Sequence, residues 1–100
     1  MADLTILYWR DIPAQVIVRK GRTSAKRELP LRFTEAIDMC AMRLGARDSD
    51  AYLAEWRRGD PLPVSDDLEA EADRAFQRID TEYDRNRLAA LVKAEGREHA

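Results

Sequence analysis

Cysteine and histidine are almost absent from this chain: of 100 residues, Cys40 is the one cysteine and His99 the one histidine. A lone cysteine excludes an internal disulfide. Together the two leave too few ligands for a zinc site and no partner for a histidine-based acid/base pair. Glycine is scarce as well, at Gly21, Gly45, Gly59 and Gly96, and its spacing matches no phosphate-cradling loop. Without a nearby histidine, Ser24 and Ser49 have nothing to activate them as nucleophiles. No apolar run approaches the roughly 20 residues that span a bilayer, and the opening MADLTILYWRD lacks a basic stretch before its apolar one. Membrane insertion and secretion are disfavoured, a cytoplasmic location is expected, and neither a metal nor a cofactor is expected.

What is present suits one domain, residues 1–100: 45% apolar and 36% charged residues on a chain of 100. The net charge of −2 hides a polarity. Residues 1–59 carry 11 basic and 8 acidic side chains, a balance of +3, whereas residues 60–100 carry 6 and 11, a balance of −5. The basic excess concentrates in Arg10, Arg19, Lys20, Arg22, Lys26, Arg27 and Arg32, faced only by Asp11 and Glu28. This stretch is either an anion-binding surface or a basic hairpin neutralised by the acidic C-terminal helix of its own or another chain.

Two β-branched and aromatic runs, Leu4–Trp9 and Gln15–Arg19, predict an antiparallel hairpin over about 4–20, joined by about four residues that include Pro13. Both faces of the first run are apolar, which makes it central in the sheet or covered on both sides. A short third strand is open between Gly21 and Pro30. Three-and-four spacing of Phe33, Ile37, Cys40, Ala41 and Leu44 predicts a helix over about 31–44. A second follows over 50–57 with Ser49 as its cap, and Gly59–Val64 reads as a stiff turn. The line Leu68, Ala72, Ala75, Phe76, Ile79, Tyr83, resumed at Leu88, Leu91 and Val92, predicts helix over 66–95, continuous or broken at Asp84–Arg87. The fold class is α+β: an N-terminal hairpin packed against three or four helices, with a long C-terminal helix.

Three segments, Tyr8–Val16, Leu31–Asp38 and Asp50–Arg57, resemble a small bacterial family known as virulence factor. The resemblance implies a stand-alone alphaproteobacterial protein. It also implies a similar module in a larger Gram-positive protein with HEAT-like repeats and an iron–sulfur-scaffold-type domain, and hence an accessory or protein-interaction role. Members encoded near folate and corrinoid one-carbon methyl-transfer enzymes suggest a small subunit of such a system as an alternative. The family name records a phenotype and assigns no catalytic residue.

Trp9 beside Arg10 could clamp an anionic ligand by stacking and bidentate contacts, or Trp9 packs in the core while Arg10 pairs with a carboxylate. Trp56 with Arg57 and Arg58 repeats the pairing at a helix end, and convergence of the two tryptophans would create one aromatic–basic surface. Glu35 and Asp38 share a helix side but read most simply as neutralised surface carboxylates, and Cys40 as a small apolar filler. The leading expectation is a non-enzymatic accessory module that binds another protein through Trp9, Arg10, Arg19, Lys20, Arg22, Arg32 and Trp56. Polyanion or nucleic-acid binding through the basic 19–32 region is a further alternative, which the acidic net charge disfavours. Homo-oligomerisation stays open.

Overall fold

In the computed structural model, which describes residues 1–43, 45 and 50–97, burial alternates along most of the first strand as an antiparallel sheet with one covered face requires. Strand β1, Ala2–Trp9, buries Ala2, Leu4 and Ile6 and leaves Asp3, Thr5 and Leu7 more exposed. Strand β2, Ile12–Lys20, sets Val18 and Val16 opposite Leu4 and Ile6. Strand β3, Thr23–Glu28, adds Ala25 opposite Val18. Helix α1 (Leu31–Arg43) and helix α3 (Leu68–Glu82) cover this apolar face, and α4 (Arg85–Lys93) packs beside α1. The buried residues of sheet and helices form one cluster, with Trp9, Phe33, Ile12 and Ile37 its largest fully enclosed side chains.

The hairpin, the third strand and the α+β class agree with the sequence reading, and β1 is central. Its second edge is paired by two short strands, β4 (Trp56–Arg58) against Leu7–Trp9 and β5 (Leu62–Val64) against Ala2–Leu4. Two expectations are corrected here. The helix expected over 50–57 is α2, Asp50–Ala54, and the chain leaves it for β4. The expected stiff turn over 59–64 ends in a strand. Both changes have one cause: the open edge of β1 offers backbone partners that a longer α2 would leave unpaired.

The connection of β1 to β2 is also shorter than expected, a two-residue turn, Arg10–Asp11. Pro13 has no N–H to give, and the strand absorbs it in a bulge. Leu7 opposes Gln15 while Tyr8 opposes Pro13, leaving Ala14 as the extra residue, whose carbonyl accepts from Leu29 N–H at 3.1 Å.

Residues 66–95 form two helices. Asp67 caps α3 by accepting from Ala70 N–H, and Glu71 accepts from Arg74 and from Ser65 N–H, which together pull its carboxyl down to about 2. Asp84 caps α4 by accepting from Arg87 N–H at 2.8 Å, so the polar patch at 84–87 is a helix boundary. Of the other sequence expectations, the helix end at Leu44, the Ser49 cap and His99 lie outside the described residues.

Helix α4 ends in a Schellman arrangement. Gly96 N–H donates to Leu91 at 2.7 Å and Glu95 N–H to Val92 at 3.1 Å, with Glu95 at φ +61° and Gly96 at +82°. Glu95 occupies the left-handed position that glycine usually fills. Glu95→Gly relieves that strain while keeping the carbonyl that Arg10 binds, so stability is expected to rise by about 0.5–1 kcal/mol. The check is the urea midpoint at unchanged m-value; a midpoint equal to or below that of the parent contradicts the argument.

Candidate functional site

The two tryptophans do converge. Trp9 and Trp56 are direct partners across β1 and β4, and Tyr52 lies between them, its ring 5.9 Å from Trp9 and edge-on to Trp56 at 6.1 Å. Trp9 is wholly buried and donates its indole N–H to the Tyr52 carbonyl at 3.0 Å, so the ring available to a ligand is the half-buried Trp56. Arg10 adopts φ +53°, where the equivalent first turn residue of the β2–β3 hairpin is Gly21 at +59°. Its backbone and side chain are held from several directions. The N–H donates to Glu55 O at 3.1 Å, Nη1 to Glu95 O at 2.5 Å, and Nε lies 3.2 Å from the Glu55 carboxylate. Arg57 donates to Arg10 O and to the Asp11 carboxylate, both at 3.0 Å, and Arg97 reaches Glu55 at 3.3 Å. Three arginines and two carboxylates therefore tie the hairpin turn, the end of α2 and the segment after α4 together. These contacts turn Trp9 and the Arg10 head into the chain, where Nε lies beside the Glu55 carboxylate without a hydrogen bond of its own among the described residues.

The basic stretch is largely neutralised by α3 and its approach. Lys20 pairs with Asp66 at 2.7 Å and holds that carboxyl below its ordinary range. Arg27 bridges Glu69 and Asp73. Arg32 pairs with Asp80 at 2.7 Å, also donates to the Tyr83 carbonyl, and lies over the Phe33 ring. The opposite charges of the two halves of the sequence thus meet at one layer contact. Among the described residues, no carboxylate pairs with Arg19, Arg22 or Lys26. Among the described residues, Arg19 and Lys26 belong to the sheet face turned away from α1 and α3, in cross-strand rows with Asp3, Ser24, Thr5 and Ile17. Arg19 there has Asp3 as its cross-strand neighbour.

Cys40 is buried, its sulfur 3.8 Å from the Val92 carbonyl oxygen, and burial pushes its thiol up. This is the environment of an inert packing residue. Among the described residues, no group of three or more His, Cys, Asp or Glu side chains could hold a metal ion, and no helix is long and apolar enough to cross a membrane.

A concavity between α1 and α4 combines Leu88 and Val92 of the periodic line with residues that the periodicity argument did not single out. Arg32 at the start of α1 meets Asp80 and Tyr83 just before α4, and Cys40 meets Leu91 and Val92 near its end. The two helices therefore run side by side in the same direction. Between them lies a groove of about 390 Å³. Ala36, Leu88, Ala89 and Val92 line its floor, and Met39, 54% exposed, stands on its lip. Arg32 and Arg85 flank one end and Arg43 and Lys93 the other, with Glu35 as the one carboxylate of the lining. Of the residues singled out from the sequence as binding groups, only Arg32 belongs to it. The signal that points to it is Met39, a large apolar side chain off the buried stripe of α1 and more than half exposed.

A family model described as Virulence factor matches residues 7–92, which takes in β1 from Leu7, α1, α3, α4 as far as Val92, and the lining of the groove except Lys93. No curated protein and no solved structure matches the chain.

Proposed function

The chain belongs to the virulence factor family, and from that premise we propose that it is a non-enzymatic accessory module of the cytoplasm that docks a helical segment of a partner protein in the α1–α4 groove. The groove itself is the observation that carries this reading. It is an apolar trough between two helices with a methionine lip, and thioether side chains adapt to an incoming apolar surface at small cost. A helix suits it better than an extended segment. Both walls are helices whose backbone groups are already paired, so a strand laid between them would leave its own N–H and C=O groups without partners, whereas a helix satisfies its own. The neutralisation of Lys20, Arg27 and Arg32 weighs against polyanion binding through the basic stretch.

Photo-crosslinking tests the reading directly. A photoreactive residue at Met39 is expected to trap a discrete protein from native lysate, and the same residue at Lys26, on the sheet face turned away from α1 and α3, is not. Ala89→Trp, which fills the groove from an exposed position, is expected to abolish the Met39 product. Labelling from Lys26 but not Met39 would place the interface on the sheet and defeat the proposal.

A further inference from the structure

The groove's charge identifies its occupant more narrowly, and the step taken here rests on the docking reading above. Among the described residues, no carboxylate pairs with Arg43, Arg85 or Lys93, whereas Arg32 is already satisfied by Asp80. The unpaired cations sit at both ends of the trough: Arg85 where α4 begins, and Arg43 with Lys93 where the two helices end. Arg32 and Arg43, which mark the two ends on α1, are separated by three helical turns, about 16 Å along the axis. The floor between the ends is aliphatic and carries no cation.

We infer that the occupant is an acidic amphipathic helix of about three turns, with apolar side chains at i, i+4 and i+7 facing the floor and carboxylates at both ends facing Arg85 and the Arg43–Lys93 pair. Apolar contact along the middle supplies most of the attraction. The end charges select the partner, because a basic helix would set like charges together at both rims, with only Glu35 to offset them. Carboxylates at one end alone would leave the opposite cations uncompensated.

The probe is a fluorescent synthetic peptide of about 16 residues with leucines at i, i+4 and i+7 and glutamates at both ends. One control replaces every glutamate by lysine; a second keeps the composition but scatters the leucines around the helix. By fluorescence anisotropy the acidic peptide is expected to bind at least about tenfold more tightly than either control, and to weaken as salt is raised to about 0.5 M. Arg43→Glu combined with Lys93→Glu, both exposed positions, is expected to reverse the preference between the acidic and basic peptides. If that variant melts early, Arg43→Gln with Lys93→Gln carries the test and is expected to remove the preference. Equal binding of the acidic and basic peptides, equal binding of the scattered control, or indifference to both rim variants overturns the inference. So does self-association that Ala89→Trp abolishes without peptide, since a second copy would then be the occupant. Retained Met39 crosslinking with no charge preference overturns this inference alone. Absence of any Met39 product from the protein with Ala89 intact overturns the docking reading beneath it.

Discussion

Replacing Trp9 by alanine is expected to lower stability by about 4 kcal/mol, a large share of the roughly 5–15 kcal/mol that holds a domain of this size together. The ring is wholly enclosed, so truncation removes its transfer energy and opens a cavity that β1 and β2 cannot collapse into without disturbing the bulge at Ala14. It also strips the Tyr52 carbonyl of its indole donor and takes away the surface on which Arg10 rests, 5.3 Å from the ring centre. Trp9→Phe separates these contributions. It keeps most of the volume and loses the hydrogen bond, and is expected to cost about 1–2 kcal/mol. Trp56→Ala, at a half-buried edge position, is expected to cost about 1 kcal/mol through its contact with Tyr52. Urea unfolding of the three variants gives the order. A Trp9→Ala cost no greater than that of Trp56→Ala would show that Trp9 does not anchor the core.

The pairing of these tryptophans also shows how far sequence reasoning reaches. The β-branched and aromatic content of Leu4–Trp9 and Gln15–Arg19 is enough to identify the hairpin, since each strand is signalled by its own side chains. Helices α1 and α3 are legible for the same reason. Strand β4 is not. Tyr52, Leu53 and Trp56 keep helical spacing through the very residues that leave the helix, and what decides the matter is the free edge of β1, nearly 50 residues earlier in the chain. The break between α3 and α4 is visible as a polar patch but identifiable as a cap only once Asp84 is seen accepting from Arg87. Charge polarity between the halves predicts attraction without predicting register; the structure supplies Lys20–Asp66, Arg27–Glu69/Asp73 and Arg32–Asp80. The groove is the least legible feature. Its two walls are separated by about 50 residues of sequence, and Met39 and Ala89 contribute to it by lying beside the buried stripes.

Gly96→Ala is expected to destabilise the protein by about 3 kcal/mol, the opposite sign from Glu95→Gly one residue away. At φ +82° an alanine takes on left-handed strain, and the added Cβ would stand 3.1 Å from Arg10 Cδ and 3.3 Å from both Arg10 Cβ and Trp9 Cζ3. The Arg10 stem cannot swing aside freely, because its head is fixed by the Glu95 carbonyl and the Glu55 carboxylate. Moving the segment after α4 instead would break the bond from Asp11 N–H to Gly96 O at 2.8 Å, which closes the hairpin turn against it. Either response transmits the strain to Trp9. A double-mutant cycle of Gly96→Ala with Arg10→Ala therefore tests the packing route: removing the Arg10 stem is expected to recover the part of the cost that is steric, about 1–2 kcal/mol, and to leave the backbone strain. Strict additivity of the two substitutions would mean that the clash is relieved elsewhere and that the close approach of Gly96 to Arg10 does not set the glycine requirement. In that case the cost of Gly96→Ala would be left-handed strain at φ +82°, with the segment still held by its backbone bonds, those of the Schellman turn and that from Asp11 N–H to Gly96 O.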